Sequence, residues 1–231
     1  MLIDAKGRFI SQREHPKLAL VQATDRHGRL ILRAPGQPPF DCVSAPETTA
    51  ATVVEIWKDT LTAQLIHPDA DIWFSKFLGE PCHLVRMRPT DERPVEPREG
   101  VVPGTTVSFA DGYPLLLIGT GSLADLNQRL EHPVAMTHFR PNLVISGTTP
   151  FQEDQWTQIA IGGVTFNVVK PCKRCVMTTI DPETAEKDPR GDPLRTLAGY
   201  RQFDGGVIFG QNLVVQKAGR LEVGQEVKVI A

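Results

Sequence analysis

The sequence predicts a mainly β fold (α+β) with three or four short helices, arranged as two barrel-like halves. Glycine and proline each contribute 19 of the 231 residues, more than their usual share, so turns should be frequent and long helices few. Apolar residues also occur in short β-prone runs that end at turn residues, rather than in long helical stripes.

The first half of the chain predicts β-hairpins and one helix. Residues 25–28 form a turn-rich tetrapeptide between two apolar runs, which is typical of a hairpin. A helix is expected from Asp69 or Asp71 to Leu78, because apolar residues recur on one side and Gly79 provides a stop. The strands expected in this half are residues 17–24, 29–33, 51–57 and 81–87.

Residues 89–104 favour a linker or a long surface loop. They contain Pro89, Pro94, Pro97 and Pro103, interleaved with charged residues and almost nothing apolar. Such a segment cannot bury enough apolar surface to pack. We therefore predict two domains, residues 1–98 and residues 99–231.

After the linker, residues 114–118 form a continuous apolar run, which indicates a buried strand. Ser122, with Asp125 three positions later, has the pattern of a capping box, so a helix of two turns is predicted to begin there. Gly162 and Gly163 predict a second hairpin. The other elements expected in this half are strands at 159–161, 164–169, 207–215 and 221–230 and a helix at 194–201.

The charge balance excludes generic binding to nucleic acids or to anionic membranes. Lys and Arg total 25 against 27 Asp and Glu, a net charge of −2, so no strong positive field is available. No apolar window approaches the roughly 18 residues of a membrane span, and charge interrupts the N-terminus before a signal-peptide core, so we expect a cytosolic protein. Four cysteines are too few for a disulfide framework, which leaves reactivity or metal binding as their role.

The most informative segment is residues 172–175, Cys-Lys-Arg-Cys. Lys170, Lys173 and Arg174 place three cations beside the two thiols and favour the thiolate form. Four interpretations stay open at this point: a zinc site, a thioredoxin-like dithiol, two half-buried structural cysteines, and one thiolate that faces a bound cofactor. The β-prone run that follows, residues 176–180, favours a strand there and weakens the dithiol interpretation.

Residues 139–142, Phe-Arg-Pro-Asn, form a second candidate site. Pro141 biases Arg140 toward an extended conformation, in which Arg140 and Asn142 would point to the same face. The guanidinium suits a phosphate, and the amide suits the edge of a heterocycle. The alternative is a surface ion pair at Arg140 and a turn-forming Asn142.

Three weaker signals complete the set. Residues 119–122, Gly-Thr-Gly-Ser, resemble an anion cradle at the start of a helix, although any well-capped helix has this appearance. Asp111 with Gly112 is more typical of a turn than of a ligand. The six histidines are scattered, and no pair has the spacing of metal ligands.

Taken in order along the chain, these segments resemble the MOSC-domain family, and within it the bacterial relatives of the mitochondrial amidoxime reducing component. The N-terminal segment 4–17 resembles the family's N-terminal barrel domain. The matching segments downstream are residues 109–114, 122–127, 139–142, 172–182, 200–201 and 209–210.

The resemblance implies a MOSC β-barrel preceded by a smaller β-barrel-like N-terminal domain. It also implies a molybdenum cofactor, that is a molybdopterin with a terminal phosphate, and not pyridoxal phosphate. By this resemblance Cys175 is the catalytic residue and the ligand to molybdenum. The residues implied to contact the cofactor are Arg140, Asn142, Asp111, Thr120 and Arg174.

The same resemblance implies an activity. Family members reduce N-hydroxylated and N-oxide compounds by removal of an oxygen atom at the metal, with electrons from a separate flavin or iron–sulfur protein. The alternatives are a non-catalytic module that carries the cofactor or sulfur on Cys175, and a shortened domain with neither role. We expect the family's opening strand, with a Lys-Ser pair and a following Arg, to precede Met1, and we expect the electron donor to act in trans.

Overall fold

Most ordered segments of the chain are strands of between two and twelve residues, in agreement with its abundance of turn residues. The computed structural model describes residues 1–43, 50–88, 90–203 and 205–231, so Pro89 of the predicted linker lies outside the described residues. Contacts divide the chain into one unit of residues 1–93 with 180–187 and a second unit of residues 94–179 with 188–231. The predicted mainly β fold with a few short helices is confirmed, whereas the domain limits at 98 and 99 stay a prediction.

The elements of the first unit are β1 (Leu2–Ile3), β2 (Gln22–Arg26), β3 (Arg29–Arg33), β4 (Phe40–Val43), β5 (Ala51–Ile56), β6 (Asp59–Leu65), α1 (Pro68–Leu78) and β7 (His83–Met87). In the described part of this unit the strands form two antiparallel sheets, with the strand orders β1-β7-β6-β5 and β2-β3-β4. Helix α1 and the inner faces of these strands enclose an apolar core that includes Leu32, Trp73 and Phe74.

Local signals fix the turns of this unit as the sequence predicts. The β2–β3 hairpin turns through His27 and Gly28, both with left-handed backbones at φ 52° and 79°. Helix α1 ends at Gly79, whose φ of 82° is the left-handed conformation that stops a helix. One expectation is wrong: residues Pro16–Leu20 form a 3-10 helix rather than the start of a strand, because Pro16 lacks the N–H that a strand ladder uses.

The elements of the second unit are β8 (Leu115–Gly119), α2 (Thr120–Arg129), β9 (Leu143–Ile145), β10 (Gln158–Ile161), β11 (Val164–Lys173), α3 (Leu194–Ala198), β12 (Gln202–Phe203), β13 (Gly206–Lys217) and β14 (Val227–Val229). Its strands form one sheet, whose order within the described residues is β14-β10-β11-β13-β8-β9, with β12 paired to β13. Strands β8 and β9 are parallel, and the other pairs are antiparallel.

The sheet of the second unit is buried on both faces at strand β8. In β8, Leu117 packs into a core cluster with Phe166 and Leu213, whereas its neighbour Ile118 packs with Phe209 in a separate cluster that also holds residues of both helices. Successive side chains of a strand point to opposite faces, so β8 supplies both cores. Among the described residues, no helix is both long and apolar enough to cross a membrane.

The β-prone run after the two cysteines does not form a strand. Residues Val176–Thr179 form a 3-10 helix instead, in which the backbone N–H and the hydroxyl of Thr178 both donate to the carbonyl of Cys175, at 3.1 and 3.0 Å. Threonine side chains that bond to nearby backbone offer the chain an alternative to a sheet ladder. The predicted strand at 176–180 is therefore wrong.

Candidate functional site

The segment 172–175 lies where strand β11 ends and the 3-10 helix begins. The backbone N–H of Arg174 donates to the carbonyl of Val207 at 2.7 Å, and the carbonyl of Cys175 accepts the two bonds from Thr178. Both cysteines are reduced thiols and half-buried. The backbone on either side of Cys175 is thus fixed while its side chain remains partly accessible.

Arg174 connects the two candidate segments of the sequence. Its Nη1 donates to the sulfur of Cys172 at 3.0 Å, and its Nη2 donates to the carbonyl of Phe139 at 2.8 Å. The guanidinium carbon also lies 5.4 Å from the centre of the Phe139 ring. We call this pair of hydrogen bonds the Arg174 bridge, because it joins the cysteine segment to the residue before Arg140.

The third nitrogen of this guanidinium, Nε, has no protein acceptor in the part of the chain that the structure describes. Nε of Arg174 is buried and has no hydrogen-bond partner among the described residues. A buried donor that lacks an acceptor costs about 1–3 kcal/mol, so the position favours an acceptor atom supplied by a ligand.

Arg140 has an unusual backbone. Its φ of 53° is left-handed and its side chain is exposed, so the expectation of an extended Arg140 is wrong. The cause is the preceding 3-10 helix, Met136–His138: the N–H of Arg140 donates to the carbonyl of Thr137 at 3.3 Å, and the left-handed residue then turns the chain toward β9. A side chain that is not glycine in this region costs of order 1–3 kcal/mol, and such residues cluster at functional sites.

Asn142 holds the start of β9 to strand β8. Its backbone N–H donates to the carbonyl of Leu116, and its side-chain Oδ1 accepts from the N–H of the same residue, both at 2.8 Å. The amide therefore acts as a strand partner. The backbone is therefore fixed on both sides of Arg140. Arg174 donates to the carbonyl of the residue before it, and Leu116 is hydrogen-bonded to the residue two positions after it.

The two remaining predicted cofactor contacts are exposed residues at opposite ends of β8. Asp111 lies in the loop before this strand, and Thr120 is the first residue of α2 after it. Thr120 is about 13 Å along the chain direction from Leu116, at about 3.3 Å per extended residue. The structure thus brings together the segments of Cys172, Arg174, Arg140 and Asn142, and Thr120 is at the other end of the strand from Asn142.

The anion cradle expected at residues 119–122 holds a carboxylate of the chain itself. Oε1 of Glu153, which is completely buried, accepts from the N–H of Gly119 at 3.0 Å and from the hydroxyl of Ser122 at 2.7 Å. Helix α2 begins at Thr120, so Ser122 lies inside the helix and is not the N-cap that the sequence predicts. The predicted cap was wrong because Ser122 bonds to Glu153 rather than to its own helix.

An ion pair of the buried residue Arg201 was not found by sequence reasoning. Arg201 is paired with Asp154 at 2.5 Å, and the same carboxylate accepts from the amide of Gln211 at 2.6 Å. The ring of Phe151 lies 4.1 Å below the Arg201 guanidinium. The signal for it was the pair at 200–201, which carried the family resemblance but no assigned role.

The side chains of the site fit an anionic group held by one sulfur ligand. Cys175 offers a half-buried thiol, Arg174 offers a buried donor without an acceptor among the described residues, and Arg140 offers an exposed cation on a fixed backbone. Soft metals prefer thiolate, and guanidinium binds phosphate. No cluster of three or more His, Cys, Asp or Glu side chains that could hold a metal ion occurs in the described part of the chain.

The fold and this site define a two-unit, mainly β protein whose second unit brings a half-buried thiol, a buried guanidinium and an exposed arginine onto neighbouring segments. The family model of the MOSC domain matches residues 104–228, and that of the MOSC N-terminal beta barrel domain matches residues 1–81. The chain therefore belongs to the MOSC-domain family, which confirms the resemblance seen in the sequence.

Three curated relatives are similar to almost the entire chain. Mitochondrial amidoxime reducing component 2 of Rattus norvegicus is 33% identical over 98% of this chain and 71% of its own length. Mitochondrial amidoxime-reducing component 1 of Homo sapiens is 32% identical over 100% of this chain and 72% of its own length. Molybdenum cofactor sulfurase of Oryza sativa subsp. japonica is 30% identical over 98% of this chain and 31% of its own length.

Proposed function

We propose that this protein binds a molybdenum cofactor and reduces N-hydroxylated or N-oxide compounds, with Cys175 as the ligand to the metal. The observation that carries the proposal is the Arg174 bridge, which joins the segment of Cys175 to that of Arg140 and leaves a buried N–H for an acceptor outside the described residues. The similarity to amidoxime reducing components over nearly the whole chain supports the substrate class.

Each residue has a role that follows from its chemistry. Cys175 supplies a soft sulfur ligand. Arg174 and Arg140 supply guanidinium groups for the phosphate or for other anionic atoms of the cofactor. Asn142 fixes the backbone beside Arg140 through Leu116, and we keep Asp111 and Thr120 as proposed contacts of the pterin.

The bound group would supply a metal centre that accepts an oxygen atom and stores electrons. Reduction of an N-hydroxy group to the amine uses two electrons and two protons and releases water. We propose that a separate flavin or iron–sulfur protein delivers the electrons. We also propose that the protein is cytosolic.

Elemental analysis tests the ligand assignment. Protein purified from a host that makes the cofactor should contain molybdenum, and Cys175→Ala should lose it. Cys42→Ala is the matched control, because it removes a thiol that is buried in the core of the other unit. Molybdenum retained equally by Cys175→Ala and by wild type would overturn Cys175 as the ligand.

The substrate class is tested separately by turnover of an aryl amidoxime with a chemical reductant. Formation of the amidine by wild type, and its loss in Cys175→Ala, is the expected result. A wild type that holds molybdenum and produces no amidine would overturn the reductase proposal while leaving cofactor binding intact.

The similarity to molybdenum cofactor sulfurase favours a second candidate, a non-catalytic module that carries the cofactor or sulfur on Cys175. This candidate predicts bound cofactor or a persulfide on Cys175 without reduction of N-hydroxy compounds. Measured turnover would exclude it. Loss of pterin binding in Arg140→Ala would argue against a domain with neither role.

A further inference from the structure

We propose that Cys172 is a positioning residue that holds the Arg174 guanidinium ready for the cofactor. This inference rests on the proposed function, because it assigns a partner to the buried Nε of Arg174. It gives the first cysteine of the segment a role distinct from that of Cys175.

The contacts of Cys172 point to Arg174. Its sulfur accepts from Nη1 at 3.0 Å, and it lies 3.9 Å from the carbonyl oxygen of Lys173, within reach of an S–H donor. A neutral thiol satisfies both contacts, since its hydrogen faces the carbonyl and a lone pair faces the guanidinium. Cys172 is therefore engaged with protein groups on both sides.

The bridge fixes the plane of the guanidinium. Nη1 is held by Cys172 and Nη2 by the carbonyl of Phe139, which lies 35 positions away in the chain and belongs to a residue that is 1% exposed. The backbone N–H of Arg174 is held by Val207. Two acceptors on separate segments fix the orientation of the planar group, and Nε is its buried nitrogen without an acceptor among the described residues.

Orientation before binding increases affinity. A mobile arginine side chain has large rotamer entropy, and a ligand that must order it binds less tightly. The Arg174 bridge orders the side chain through the fold, so an acceptor atom meets a donor that is already in place. Removal of the sulfur should weaken retention of the cofactor without removing any group that contacts it.

Release of molybdenum during dialysis measures this effect in the loaded protein. We expect Cys172→Ala to shorten the half-time of release about 3- to 10-fold, the equivalent of one lost hydrogen bond. Cys172→Ser retains an acceptor and should stay within about twofold of wild type. Arg220→Ala, at a side chain that is 88% exposed, is the control for loss of a surface cation and should behave as wild type.

A double-mutant cycle separates positioning from direct contact. If Cys172 acts through Arg174, then Cys172→Ala adds no further loss in an Arg174→Ala background.

The outcomes distinguish this inference from the proposed function. The positioning role is overturned if Cys172→Ala releases molybdenum at the wild-type rate, or if it speeds release as much in the Arg174→Ala background as in wild type. Either result leaves the proposed function intact. Wild type that contains neither molybdenum nor pterin overturns the proposed function and the positioning role with it.

Discussion

Ser122 and Glu153, 31 positions apart in the chain, meet through a hydrogen bond of 2.7 Å, and both residues are completely buried. The carboxylate oxygen that accepts from Ser122 also accepts from the N–H of Gly119, and the Ser122 hydroxyl in turn accepts from the N–H of Phe151 at 2.8 Å. The first turn of a helix leaves backbone N–H groups without partners inside the helix and favours a negative charge. Glu153 supplies an acceptor and a carboxylate at this position from within the fold.

Ser122→Ala should therefore destabilise the protein. The substitution removes a donor to Glu153 and an acceptor for Phe151 in a site that solvent does not reach. Buried polar groups left without a partner cost about 1–3 kcal/mol each. We expect the free energy of unfolding, measured by urea denaturation, to fall by about that amount. Ser146→Ala, the same change at an exposed position, should stay within about 0.5 kcal/mol of wild type. Equal stability of both variants would contradict the structural role of Ser122.

Gly121 lies too close to backbone for any larger residue. A Cβ at this position would lie 2.2 Å from the carbonyl oxygen of Thr148 and 2.7 Å from the carbonyl carbon of Thr149, and backbone atoms do not move aside cheaply. Gly121→Ala should reduce the free energy of unfolding by about 1–3 kcal/mol or more. Gly163→Ala is the matched control, because no described atom lies within 4 Å of its added Cβ. A thermal unfolding midpoint of Gly121→Ala equal to that of the control would refute the close approach.

The four thiols should differ in reactivity. Cys82 is 1% exposed and Cys42 is 6% exposed, and burial raises the pKa of both thiols, which lowers their thiolate fraction at pH 8. Cys172 and Cys175 are half-buried. Iodoacetamide added to cofactor-free protein should modify Cys172 and Cys175 first, and the other two only after urea unfolding. Peptide mass spectrometry measures the order, and early labelling of Cys82 would show that the core of its unit is open.

The elements that the sequence predicts well depend on local chemistry. Gly162, with φ 56°, closes the β10–β11 hairpin, and Gly79 stops α1, because each position needs a conformation that glycine adopts easily. Strand β6 is not among the predicted elements, although Leu61, Ala63 and Leu65 alternate with polar residues along it. It is a strand because it pairs with β5 on one side and β7 on the other, and the preference for strands depends on such neighbours.

The geometry of the candidate site likewise depends on contacts that the local sequence does not indicate. The residue types at Cys175, Arg140 and Asn142 indicate sulfur ligation, phosphate and a polar edge without any structure. The left-handed backbone of Arg140 and the bridge from Arg174 to Phe139 depend on a turn and on a contact between segments 35 positions apart. Ser122 fits a local capping pattern, and its actual partner is a carboxylate from the distant 3-10 helix Gln152–Gln155. Tertiary contacts decide these geometries.

Asp192 should make stability depend on pH. Although burial raises its pKa, hydrogen bonds from Arg195 and Thr196 outweigh that effect and lower the pKa of this carboxyl, which is 8% exposed. Its stabilising contribution is therefore present above the ordinary aspartate pKa of about 4 and is lost as pH falls through the lower pKa of the folded state. Asp192→Asn should lower the free energy of unfolding by about 1–3 kcal/mol at pH 7, and the difference from wild type should shrink below about pH 4.

Urea unfolding between pH 3 and pH 7 measures this difference for Asp192→Asn. Glu226→Gln, at a side chain that is 79% exposed, is the control for loss of one carboxylate. A difference that stays constant across that range would show that the charge of Asp192 does not stabilise the fold.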